Sequence, residues 1–113
     1  MKRVEFCPVS ETMAIIGGKW KPVILYCMRD GTKRFSEIKK LIPGITQKML
    51  TQQLREMEAQ GIVNRKIYPV IPPKVEYTLT AYGLTLTPIL DAMAAWGNIH
   101  RGKKSAGGKD GCC

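Results

Sequence analysis

The stretch KRFSEIKKLIPGITQKMLTQQLREMEAQGIVNRKIYPVIPPKVEYTLTAYG, residues 33–83, decides the fold. Its middle carries the clearest helix signal in the chain. Leu50, Leu54 and Met57 fall on one apolar stripe of a helix predicted over residues 47–60. Thr46 stands where an N-cap is needed, and Gly61 follows the last turn as a left-handed stop. Upstream, Ile42-Pro43-Gly44-Ile45 is a turn. A shorter helix is predicted before it, from Ser36 as N-cap to about Leu41, with Phe35, Ile38 and Leu41 facing inward. Lys33-Arg34-Phe35 has length for an edge strand only. Downstream, Val63, Arg65 and Ile67 alternate with Asn64, Lys66 and Tyr68, and Val75, Tyr77 and Leu79 with Lys74, Glu76 and Thr78. That is the period of two half-buried strands. Pro69, Pro72 and Pro73 stiffen the link between them and remove donors that a foreign sheet edge would seek.

Working outward, residues 8–17 predict a first helix with Pro8 at an early position, ended by Gly17-Gly18. A second helix follows over residues 19–29, where Trp20, Val23, Ile24, Cys27 and Met28 form a buried stripe and Asp30-Gly31-Thr32 turns the chain. After the hairpin, Thr80 caps a long final helix to about His100, with a kink or break at Pro88. The chain is therefore mainly α with a small β-hairpin wing, in the order α-α-β-α-α-β-β-α. This is a winged helix-turn-helix. One domain is predicted over residues 1–101, and a disordered Gly/Lys/Ser-rich tail over residues 102–113.

At 113 residues with 44% hydrophobic content, the chain buries a modest core that a second copy would extend. The net charge is +9. Residues 33–76 hold nine basic and four acidic side chains, so most of the surplus lies on the unit just described. Such a unit attracts polyanions; the competing reading is a basic surface kept for solubility. No apolar run follows the basic start, and none approaches a membrane span, so a cytoplasmic protein without a membrane partner is expected. Its four cysteines are then reduced at rest. No carboxylate pair, Gly-rich phosphate loop or nucleophile with a base stands out, so neither an enzyme nor a cofactor is expected. His100 with Cys112 and Cys113 fits no zinc spacing, so no metal is expected either. Trp20, Trp96 and Cys27 read as core residues.

A major groove admits one helix, buried on its far face and polar on the near one. The helix after Thr46 meets that demand. Gln47, Lys48, Thr51, Gln52 and Arg55 point outward and are the candidate base readers. Gln can pair twice with adenine, Lys or Arg with guanine, and the Thr methyl can meet that of thymine. Arg34, Ser36, Lys39 and Lys40 before the turn, Thr46 at the cap, and Lys66 and Lys74 on the hairpin are candidate phosphate contacts. A solvated amphipathic helix without a partner is the competing reading, as is a winged helix used only for protein contacts. The turn before the helix and the hairpin after it favour double-stranded DNA.

Several motifs in order carry a resemblance. Cys7-Pro8-Val9, Ile16-Gly17-Gly18-Lys19-Trp20, Arg34-Phe35-Ser36-Glu37-Ile38, the run from Pro43 to Glu58, Tyr68-Pro69, Pro72-Pro73, the run from Val75 to Thr80, and Gly83 resemble the HxlR-type winged-helix regulators over about residues 5–97. The resemblance implies a homodimeric transcription regulator, related to MarR-type repressors, that binds an operator. In such proteins the first and last helices build the dimer. That assigns dimer contacts to Met13, Ile16, Leu86, Ile89, Leu90, Met93 and Trp96; closure of the monomer core is the other reading of the same residues. The family also implies an effector. Cys7 holds the place of the oxidant- or electrophile-sensing cysteine and lies before a helix N-terminus, which favours thiolate. A buried structural thiol is the alternative for Cys7, and a small-molecule effector the alternative for the signal. Cys112 and Cys113 are candidate resolving thiols, although the tail does not align with the family.

Overall fold

The computed structural model describes residues 6–104. The chain runs α1 (Pro8–Ile16), α2 (Lys21–Cys27), β1 (Lys33–Arg34), α3 (Phe35–Leu41), α4 (Gln47–Ala59), β2 (Val63–Tyr68), β3 (Lys74–Leu79), α5 (Ala81–Leu84) and α6 (Thr87–Lys104). Both strands of the hairpin have the predicted bounds. The wing is a three-stranded antiparallel sheet of order β1-β3-β2, with Arg34 opposite Glu76 and Lys66 opposite the same residue on the other side.

The final helix breaks just before Pro88, as the proline leads one to expect. It is two helices, broken at Thr85 and Leu86. In a continuous helix the Pro88 ring would strike the Leu84 carbonyl, so the chain restarts with Pro88 in the first turn of α6. Thr80 consequently caps the short α5, accepting the Gly83 N–H at 2.9 Å. The second helix, α6, continues past His100 and Gly102 to Lys104, beyond the predicted end of the domain. Ser36 is not a cap either. The cap is Arg34, two residues earlier, and the Glu37 carboxylate closes the helix entry by accepting the Arg34 N–H at 2.7 Å.

The core lies between α2, α3, α4 and the base of the wing. Ile24, Leu25 and Met28 meet Ile38, Leu50, Leu54, Met57 and Ile62, all almost fully buried. Each contributes about 1.5–3 kcal/mol by leaving water. Ile42 and Ile45 are buried too, so both ends of the turn are anchored while Gly44 takes φ +90° between them. Cys27 lies in this core as expected, and Trp20 packs half-buried against it. Trp96 does not: it is 65% exposed and stacks on His100 with ring centroids 5.3 Å apart. Only the root of the wing is buried. Val63 is covered, but Ile67 is exposed, because the outer half of the hairpin projects beyond the core; the alternation predicted for β2 fails there.

Two of the expected dimer contacts are corrected by burial. Ile16 and Leu90 are each 2% exposed and belong to the monomer core, where the last turn of α1 and the first turn of α6 close over it. They have no surface left for a partner. Leu86 is half-buried against the same core. Met13, Ile89, Met93 and Trp96 remain exposed.

Candidate nucleic-acid interface

The interface is built on α4. Thr46 accepts the Met49 N–H at 3.0 Å, so the helix starts as the sequence demands, and the hydroxyl proton of Thr46 stays available as a donor. Leu50, Leu54 and Met57 lock one face into the core. The opposite face gathers Gln47, Lys48, Thr51, Gln52, Arg55 and Glu56 around one shallow, open trough. All five predicted base readers are therefore brought together. The Thr51 hydroxyl donates to the Gln47 carbonyl at 2.8 Å, which spends its polar proton inside the helix and suits the methyl to an apolar contact.

Glu56 was not among the predicted residues, and it organises the trough. Its Oε1 takes a hydrogen bond and ion pair from Lys21 Nζ on α2 at 2.6 Å, and its Oε2 accepts from Gln52 Nε2 at 3.4 Å. These two donors, Lys21 first, hold the Glu56 carboxyl below the usual carboxylate range. The spacing of Gln52 and Glu56, one helical turn apart, is legible in the sequence. Lys21 is not, because only the packing of α2 on α4 brings it there.

The candidate phosphate contacts flank this trough in sequence on α3 and the wing. Ser36, Lys39 and Lys40 are exposed, with both lysines in the last turn of α3, where they complement its carbonyl end. Lys40 shares a second, charged notch with Arg29, Asp30, Lys33 and Glu37. On the wing, Lys74 pairs with Glu76 at 3.4 Å, and Tyr68 donates its hydroxyl to Glu76 at 2.9 Å. Tyr68 first, then Lys74 and Arg34, keep Glu76 ionised below its ordinary range against the opposing effect of burial. Lys66 and Lys74 both lie over the Tyr68 ring, with Nζ 5.0 Å and 4.7 Å from its centre. The wing thus presents a small cationic cluster around one aromatic ring, with Lys74 partly neutralised by its carboxylate. At the base of the wing Arg65 pairs with Glu58 of α4 at 3.4 Å, a tie that sets hairpin against helix.

Cys7 is the N-cap residue of α1 and is a half-exposed free thiol. The Ser10 N–H, the Ser10 hydroxyl and the Val9 N–H face its sulfur and lower the thiol below its ordinary value, although no capping hydrogen bond to the sulfur is closed. This is the favourable end of a helix for a thiolate. Cys112 and Cys113 lie outside the described residues. Among the described residues there is no group of three His, Cys, Asp or Glu side chains able to hold a metal, and no helix long and apolar enough to cross a membrane.

The family described as HxlR-like helix-turn-helix matches residues 15–105. The HTH-type transcriptional regulator YybR of Bacillus subtilis is 56% identical over 97 residues, covering 86% of this chain and 78% of its own. Among solved structures, the redox regulator HypR in its reduced form is 55% identical with a TM-score of 0.80, covering 84% of this chain and 94% of that one. The reduced form of the transcriptional regulator YodB from B. subtilis is 40% identical with a TM-score of 0.71, covering 82% and 92%. These relatives are regulators rather than enzymes, and the winged architecture is common to them. The chain belongs to the HxlR-like helix-turn-helix family of DNA-binding transcriptional regulators.

Proposed function

We propose that the protein is a homodimeric, sequence-specific repressor whose two α4 helices enter successive major grooves of an operator. The observation that carries this reading is the outward face of α4: five donors or groove-fitting side chains around one trough, on a helix whose other face is locked in the core. A helix serving only protein contacts has no need of that set. Gln47, Lys48, Thr51, Gln52 and Arg55 read bases. Arg34, Ser36, Lys39, Lys40, Thr46 and Lys66 hold phosphates, with Lys74 a weaker contributor because Glu76 already engages it. A gel shift with the DNA upstream of the protein's own gene tests the reading. Gln52→Ala is expected to lower operator affinity about tenfold while leaving binding to random duplex within about twofold, since a good bidentate base contact carries about 1–3 kcal/mol of discrimination. Equal losses on both DNAs remove Gln52 from the base readers.

Control of binding is assigned to Cys7. Its place at the start of α1, its partial exposure and its lowered pKa support reaction with oxidants, and the similar HypR is described as a redox regulator. Cys7→Ser is expected to bind the operator as the unmodified protein does and to stay bound in diamide, which releases the unmodified protein. A Cys7→Ser protein that still leaves DNA in diamide transfers control to another group or to a small ligand. Cys112 and Cys113 remain the candidate partners for a disulfide with Cys7.

A further inference from the structure

Gln52 is exposed on the trough face of α4, and its side-chain amide has two possible faces to show a base. The NH2 is a donor and the carbonyl an acceptor, so a half-turn of the terminal torsion changes what it reads. Here that choice is constrained. The Gln52 NH2 donates to Glu56 Oε2 at 3.4 Å, while Lys21 Nζ occupies Glu56 Oε1 at 2.6 Å. An ionised carboxylate only accepts. Turning the amide over would set the Gln52 carbonyl against it, two acceptors with no proton between them. Lys21 helps keep the carboxylate ionised and is itself well covered, with its side chain 14% exposed, so the pair is anchored in α2 rather than floating on the surface. It also offsets a negative charge that would otherwise face the phosphates. As a contributor to stability a pair this open on its acid side counts for little; its consequence is orientation.

We propose that Lys21 and Glu56 are positioning residues that fix the base read by Gln52, turning its carbonyl and its second N–H toward the groove so that it selects adenine. Adenine supplies an N6 donor for the carbonyl and an N7 acceptor for the N–H; cytosine supplies only the N4 donor. Guanine and thymine present O6 and O4, acceptors that would stand against the Gln52 carbonyl held toward the groove with no proton between them. This rests on the reading of α4 as the groove helix and adds what one of its positions reads.

Selection of duplexes from a randomised pool by the full-length protein tests it. The operator position read by Gln52 is the one whose preference vanishes in Gln52→Ala. At that position the unmodified protein is expected to favour adenine about tenfold over guanine and thymine. Glu56→Gln, which can donate or accept, is expected to reduce that preference to about twofold with the other positions unchanged. Lys21→Arg, which retains the ion pair, is expected to keep it. A guanine or thymine preference in the unmodified protein overturns the proposal, as does a Glu56→Gln protein with the adenine preference intact. If Glu56 only ties α4 to α2, its replacement lowers the melting temperature and weakens all sequences alike, which also overturns it. A pool from which the unmodified protein enriches no sequence instead removes α4 as a base reader, a separate failure that circular dichroism of the folded protein distinguishes from unfolding.

Discussion

Met93→Asp combined with Trp96→Asp is expected to give a folded monomer whose operator affinity falls about 100-fold or more. Among the described residues of α6 only Leu90 is buried, while Ile89, Met93, Trp96 and Ile99 form an apolar stripe 39–65% exposed. Pro88, Ile89, Ala92, Met93 and Trp96 together line an open apolar groove. The first helix repeats the pattern with Val9 and Met13, both more than half exposed. A monomer that leaves such a stripe in water gives up about 25 cal/mol for every Å², and isologous pairing covers the same patch on both copies at once. In the proposed dimer an aspartate at either position would therefore stand in the interface twice. Without the dimer each α4 binds alone, and the gain from joining two half-sites, typically 10²–10⁴-fold, is lost. Sedimentation, circular dichroism and a gel shift read the three parts separately. A double variant that remains dimeric moves the interface elsewhere; a monomer that keeps full operator affinity removes the paired-helix geometry from the account.

Elements whose signals are local were legible before the structure. Thr46, the stripe of Leu50, Leu54 and Met57, and Gly61 define α4 by rules that act within a few residues, and helix and cap stand where they require. The hairpin bounds follow for the same reason, since alternation and a proline-filled link are both read along the chain. Apolar periodicity, however, says that a face is buried and not by what. Ile16 and Leu90 carry the same signal as Met13 and Met93, yet the first pair closes the monomer and the second stays uncovered. Trp96 shares the ambiguity: of its two readings, core and dimer face, the 65% exposure excludes the monomer core. On the site, the outward face of α4 was legible because it is the complement of the buried stripe. Lys21 was not, because its partner lies 35 residues away in sequence and only the docking of α2 on α4 brings them to 2.6 Å.

Gly83→Ala is expected to cost about 2–3 kcal/mol and to lower the melting temperature by about 10 °C or more, although no DNA-facing residue is touched. Gly83 is buried, and its φ is not among the positive ones, so the glycine is required by space and not by conformation. A methyl group built there falls far inside van der Waals contact of the Ile62 carbonyl oxygen and crowds the Ile62 side chain. That carbonyl cannot move freely. It accepts the Thr80 N–H at 2.9 Å; the single Thr80 hydroxyl proton goes chiefly to the Gly61 carbonyl at 2.6 Å, with the Ile62 carbonyl a longer second branch at 3.2 Å, and the hydroxyl oxygen accepts the Gly83 N–H at 2.9 Å. Gly61, Ile62, Thr80 and Gly83 thus form a knot joining the end of α4, the root of the wing and α5. Relief of the clash pushes α5 outward and breaks the cap, or tilts the wing away from α4 and strains the Arg65–Glu58 tie. Either route loosens wing against helix, so operator affinity is expected to fall along with stability, whereas Gly102→Ala, inside α6 and with nothing within contact distance of the added carbon, leaves affinity unchanged and does not lower stability. A Gly83→Ala protein that melts within about 2 °C of the original shows that α5 yields freely, and that the wing is not held to the reading helix through this knot.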